Sequence, residues 1–154
     1  MQELVYALRF RGEATHVGID GNVLKTATTA PGCTIRSHVG IDGLRGSLHS
    51  TDGAEATCES ELVFTGATSF QEAGTIRFGP GGHQLRFSTI GSAFLCPAKD
   101  DRSRQGAAIR LVDGGEGQFA GATGLIAATF IVNDAGEVTD HQLGVVYVKL
   151  ELSE

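Results

Sequence analysis

Glu72 is the residue whose type and setting most plainly offer chemistry. It alternates with Phe70, Gly74, Ile76 and Phe78, so in an extended segment it shares a face with apolar side chains. A carboxylic acid among apolar neighbours loses the hydration of its charged form, and a proton held near neutral pH is what general acid–base work requires. Two alternatives stand beside that reading. The face points to solvent, or an arginine such as Arg86 or Arg110 neutralises the carboxylate. His141 and Tyr147 share a parity with Leu143 and Val145 in the last apolar segment. An imidazole and a phenol facing one cavity can orient a carbonyl or move a proton; the plainer alternative is a rim histidine and a structural tyrosine. Asp140 falls on the opposite parity, which argues against a Thr139-Asp140-His141 metal site. Tyr6 could offer its hydroxyl to a bound molecule, and Phe64, Phe70, Phe87 and Phe130 are candidate apolar contacts for it. Arg86 takes the face opposite Leu85 and Phe87. Glu59 and Glu61 lie opposite in parity to Leu62 and Phe64 and read as solvated.

The segments that must position these residues are strand-like. No window carries helical periodicity over the ten to twelve residues a helix needs. Alternation recurs instead: Leu4, Tyr6, Leu8 and Phe10; the β-branched run Val23 to Thr29; Leu62 and Phe64; Phe70 to Phe78; Leu85 to Thr89; Ala107 to Val112; Gly124 to Asn133; and Val138 to Leu152. Asp20-Gly21, Asp42-Gly43 and Asp52-Gly53 supply turn pairs that tolerate positive φ, and Gly79-Pro80-Gly81-Gly82 and Asn133-Asp134-Ala135-Gly136 separate further runs. The reading is all-β, a single antiparallel up-and-down barrel of about eight strands over residues 1–154, with a sandwich as the other option. The one irregular stretch is Cys96 to Gly106, polar and charged, which fits a loop over a barrel mouth or a long solvated connection. His16-Val17-Gly18-Ile19-Asp20-Gly21 recurs as His38-Val39-Gly40-Ile41-Asp42-Gly43. Two similar turns account for this echo, against a paired His/Asp metal site.

Composition narrows the function classes. Of 154 residues, 41% are hydrophobic and 19% charged, enough to build a core. Lys and Arg number 12 against 18 Asp and Glu, a net charge of −6 with no basic stripe, so nucleic acid is not an expected partner. No apolar run approaches the roughly 18 residues of a membrane helix, and Met1 to Glu13 lacks a secretory leader's apolar stretch. Residence in the cytoplasm is the expectation. Cys33, Cys58 and Cys96 lack paired spacing and read as free thiols. No Gly-x-Ser-x-Gly elbow and no zinc-binding pattern occurs. No metal and no cofactor is expected.

Leu111 to Gly124 is the most specific stretch. Gly115-x-Gly117-x-x-Ala120 superficially fits a dinucleotide fingerprint. That fingerprint requires a following helix, and Leu125 to Val132 is β-branched and ends in a turn. The glycines fit better as a connection between antiparallel strands, with Phe119 tucked under the turn to plug the barrel end. The segment resembles the strand-turn-strand motif of the allene oxide cyclase and dirigent-protein barrel superfamily. Gly114, Gly115, Gly117, Phe119, Ala122 and Gly124 carry the resemblance, which is clear from about Ile109 to Val132. It implies an eight-stranded barrel with an apolar lumen, often a homodimer or homotrimer. It also implies cyclisation or guided coupling of reactive substrates, with bacterial relatives among small cyclases of secondary metabolism. The catalytic residues of plant allene oxide cyclases do not map onto this sequence.

Three functions follow as expectations. The first is a cofactor-independent isomerase or cyclase that folds a lipophilic intermediate in the lumen, with Glu72, Tyr147 or His141 supplying a polarising contact. The second is a lipocalin-like carrier of a small apolar molecule. The third is a structural module whose interior is solid.

Overall fold

The computed structural model describes residues 1–150. The alternating segments form strands β1 (Gln2–Val17), β2 (Val23–Ala30), β3 (Cys33–Gly40), β4 (Gly43–Ser50), β5 (Ala56–Phe64), β6 (Ser69–Phe78), β7 (Gln84–Thr89), β8 (Ala93–Pro97), β9 (Ser103–Glu116), β10 (Thr123–Asn133) and β11 (Glu137–Val148). All pair antiparallel, and the sheet closes on itself as an eight-stranded barrel. Round the wall the order is β1, β2, β5, β6, then β7 and β8 in one place, then β9, β10 and β11, which returns to β1. β7 pairs with Ala73–Arg77 of β6 and β8 with Ser69 and Phe70, and both pair with β9, so the two short strands act as one interrupted strand.

β3 and β4 stand apart as a two-stranded arm inserted between β2 and β5, exposed along almost its whole length. Alternation did not reveal them, because neither strand buries an apolar face. The His-Val-Gly-Ile-Asp-Gly echo falls at two hairpin tips, β1–β2 and β3–β4. The charged stretch from Cys96 to Gly106 is mostly strand, and only Ala98 to Arg102 lies outside β8 and β9. The last segment was expected to run to Leu152; β11 stops at Val148, and residue 152 lies outside the described residues.

Inward side chains build two apolar clusters. One gathers Phe10, Ile76, Leu85, Val112, Ile126 and Val146 and ends on Phe119. The glycine segment makes this end. Gly117, at φ +60, starts a single 3-10 turn (Gly117–Phe119) that folds the chain inward and buries Phe119 between β9 and β10. Phe119 meets Phe78 at 5.0 Å between ring centroids, and Phe78 meets Tyr6 edge-on at 5.6 Å. The second cluster gathers Leu24, Leu62, Phe70, Leu95, Ala108 and Phe130, with Ala14, Phe64 and Val132 half-buried at its margin. Between the clusters lies a polar layer.

Candidate functional site

Arg110 of β9 is the centre of that layer. It shares its inward parity with Ala108 and Val112, and its side chain is 3% exposed. Its Nε donates to Glu72 Oε2 at 2.9 Å and its Nη2 to Glu72 Oε1 at 3.1 Å, a two-point grip on the carboxylate. Its Nη1 donates to Asp140 Oδ2 at 3.1 Å, and the guanidinium stacks 4.9 Å from the centre of the Phe87 ring. Ser60 donates to Glu72 Oε1 at 2.6 Å, and the Thr26 hydroxyl lies 2.6 Å from that of Ser60. On the other side Gln142 Nε2 donates to Asp140 Oδ2 at 2.9 Å, and Tyr6 donates to Gln142 Oε1 at 3.0 Å. Tyr6 reaches so far inward because Gly144, its cross-strand partner, has no side chain; a Cβ there would collide with the phenol ring. The chain of contacts crosses the lumen from β2 through β5, β6, β9 and β11 to β1.

One guanidinium therefore faces two carboxylates. Burial acts to lower the Arg110 pKa, but Glu72 and Asp140 outweigh it and raise it well above the usual arginine value. Burial pushes the Cys58 thiol up to about 12, with Arg110 acting the other way. Burial likewise raises the Tyr6 phenol, again opposed by Arg110. Both groups stay protonated and neutral at physiological pH. Asp140 Oδ1 is the one buried side-chain oxygen or nitrogen among the described residues without a hydrogen-bond partner.

The space around this layer is small inside and larger outside. A cavity of about 20 Å³ touches Thr26, Thr28, Cys58, Glu72, Arg110 and Asp140, room for about one water molecule. Towards the second cluster the barrel opens into a mouth of about 320 Å³. Leu24, Phe64, Leu95 and Val132 floor it, and Arg102, Arg104, Asp101 and His16 line its rim. Leu24 and Val132 also wall the inner cavity, so the two spaces adjoin.

The structure brings together some of the sequence candidates and separates others. Glu72 is buried at 5% exposure in the lumen, with its charge matched by Arg110. Glu72 Oε1 accepts hydrogen bonds from Ser60 and Arg110, and Oε2 accepts one from Arg110. Phe70, Phe87 and Phe130 point inward, Phe87 beneath Arg110 and the other two in the mouth-side cluster; Phe64 edges the mouth and Tyr6 joins the polar layer. His141 and Tyr147 do not share the lumen. Both point outward from β11, and Tyr147 donates to Glu3 Oε2 at 3.3 Å on the barrel exterior. The inward parity of β11 is that of Val138, Asp140, Gln142, Val146 and Val148, the reverse of the expectation. Leu143 and Val145 misled the reading because apolar residues occupy both faces of this strand. Thr26, Ser60, Arg110, Asp140 and Gln142 were not singled out as site residues. Their signal was there: each shares its parity with buried apolar neighbours on its own strand.

Cys33, Cys58 and Cys96 are free thiols. Among the described residues no three His, Cys, Asp or Glu side chains group as metal ligands, and no helix is long and apolar enough to cross a membrane. Comparisons with models of known protein families, with curated proteins and with solved structures return no match, so the resemblance to the allene oxide cyclase superfamily rests on the Gly114–Gly124 segment alone.

Proposed function

We propose that this barrel binds a small, largely apolar molecule at its mouth, as a carrier or sensor rather than a catalyst. The observation that carries the reading is the mouth itself. Its volume of about 320 Å³ lies at the lower end of the range for small-molecule sites. Its floor is apolar, and its rim is polar, with His16, Asp101, Arg102, Arg104, Asn133 and Asp134 around it. The lumen beneath is packed, so the ligand sits on top of the arginine layer rather than within it. Arg104, 5.8 Å above the Phe64 ring, and Arg102 at the rim suit a ligand whose polar end is anionic or accepts hydrogen bonds.

One observation favours a second reading, an isomerase or cyclase acting on a lipophilic intermediate. Asp140 lines the inner cavity and its Oδ1 has no hydrogen-bond partner, so its carboxylate is the group that could accept a proton or hold a hydroxyl of a substrate that reaches past Leu24 and Val132.

The test uses the anionic apolar dye 1-anilinonaphthalene-8-sulfonate. Its fluorescence should rise with wild-type protein and be lost in Ala14→Trp, which fills the mouth from its β1 wall. Enhancement that survives Ala14→Trp but vanishes with Leu143→Lys on the outer wall would place the dye elsewhere and sink the proposal. Asp140→Asn should leave dye affinity within about twofold.

A further inference from the structure

The outer surface of the barrel is divided. On β2, β5, β6 and β7 the outward positions include Lys25, Glu59, Glu61, Arg77 and Arg86, as expected of a solvated wall. The wall made by β9, β10, β11 and β1 is different. Along β10 the outward residues are Thr123, Leu125, Ala127, Thr129 and Ile131, without a charge. β11 beside it presents no Asp, Glu, Lys or Arg between Thr139 and Tyr147 on that face. Cross-strand register lines these up in rows: Leu111, Leu125, Val145 and Val5 form one, and Ile109, Ala127, Leu143 and Ala7 the next. An antiparallel strand that is apolar on both faces is the pattern of a sheet covered on both sides.

Val5, Ile109, Leu111, Leu125, Leu143 and Tyr147 each keep between 39% and 61% of their surface exposed. Ile90 and Phe94, also half-exposed, border one trough with Ile109 and Leu143, and apolar side chains grouped in this way on a surface mark an interaction site. The β3–β4 arm rises beside this trough. Ile35 of the arm lines it, and the Cys33 thiol lies 3.6 Å from the Ala7 carbonyl at the arm's base. Val39 and Leu44 farther out are 80% and 73% exposed. A two-stranded hairpin standing in water is marginal by itself.

We infer that a second copy of this chain docks on the β9–β10–β11–β1 wall and is flanked by the arm. A copy suits the surface better than other occupants. The two apolar rows carry no charge, and the rows beside them carry Glu3 and Asp113 on one side and Arg9 on the other, so the face is complementary to itself, as a two-fold interface requires. With a net charge of −6 per chain, docking through this wall keeps the charged walls apart. A lipid surface would meet that same negative charge. The inference is independent of what the barrel mouth binds.

Sedimentation velocity over micromolar to hundred-micromolar concentrations tests it. The wild type should sediment as a dimer or higher assembly. Leu143→Lys and Leu125→Lys should each weaken association at least tenfold while keeping the β-sheet circular dichroism, and Glu59→Lys on the charged wall should not. Hydrogen exchange on the wild type gives a measurement free of any folding defect: amides of residues 34–49 should exchange more slowly as concentration rises. A wild type that stays monomeric throughout, association untouched by both lysines, or arm exchange that ignores concentration would each overturn the inference. So would a monomer that binds phosphatidylcholine vesicles.

Discussion

The two ends of the lumen differ although one ring of strands builds both. At the plugged end Phe10, Ile76, Leu85, Ile126 and Val146 have no exposed surface, and Phe119 closes them off beneath a turn that folds inward. At the mouth Phe70 is equally buried, but Phe64, Val132 and Ala14 are only half-covered, because the polar connection Ala98 to Arg102 folds nothing over them. The difference lies in the turns rather than the strands. A glycine-rich connection with one aromatic makes a lid of the chain itself, whereas a charged connection leaves a recess. Arg110 and its partners form the floor between a region specialised for stability and one open to a ligand.

Breaking that floor should have the largest effect. Arg110→Met leaves Glu72 and Asp140 buried without their cation and should cost about 3–5 kcal/mol in urea unfolding. Adding Glu72→Met and Asp140→Leu to that variant should recover most of the loss, since apolar residues of similar volume commonly replace a buried ionic cluster without penalty. If the triple variant stays as weak as the single one, the layer contributes more than charge balance.

The two ends can then be compared directly. Phe119→Ala should cost about 3–5 kcal/mol and leave dye binding at the mouth intact. Phe64→Ala should cost about 1 kcal/mol, in keeping with its half-buried state, and weaken dye binding. Equal losses would mean that the mouth is as much a part of the core as the plug.

A smaller effect appears in alkali. The raised Cys58 pKa means that the native state holds a proton which the unfolded chain, with a thiol near 9, has already released. Stability is therefore complete below about pH 9 and declines towards pH 12, by at most about 1.4 kcal/mol per pH unit for this group. Tyr6 acts in the same direction at higher pH. Cys58→Ala should flatten the first part of the decline. Smallest of all is a difference in rate: iodoacetamide should label Cys33 and Cys96, both half-buried, well before Cys58. Simultaneous labelling of all three would indicate that the region around Cys58 opens readily.

Much of this architecture was legible in the residues. Alternation located the eight positions of the barrel wall, and the glycine segment around Phe119 located the plug. Where strands are apolar on one face only, as in β5 with Glu59 and Glu61 outside, parity assigned the inward side correctly. It failed on β11, where Leu143 and Val145 outside compete with Val146 and Val148 inside. Hydrophobicity cannot phase a strand that is apolar on both sides, and the neighbour that would have settled it, Arg110, lies 30 residues away in sequence from Asp140. The arm was missed for the opposite reason, since β3 and β4 bury almost nothing that a pattern could report.

The pairing of β1 with β11 sets a condition on how the chain is made. Gln2 lies opposite Val148, so the seam joins the first strand of the barrel to the last. During synthesis β1 waits with one edge unpaired until β11 has left the ribosome, and the Tyr6–Gln142 bond across that seam forms late among the barrel's contacts. An open strand edge of this length invites pairing with other nascent chains. A circular permutant that joins the ends and opens the barrel within Ala98 to Arg102 would move the seam to β8 and β9, and its refolding yield would report how much the late closure costs.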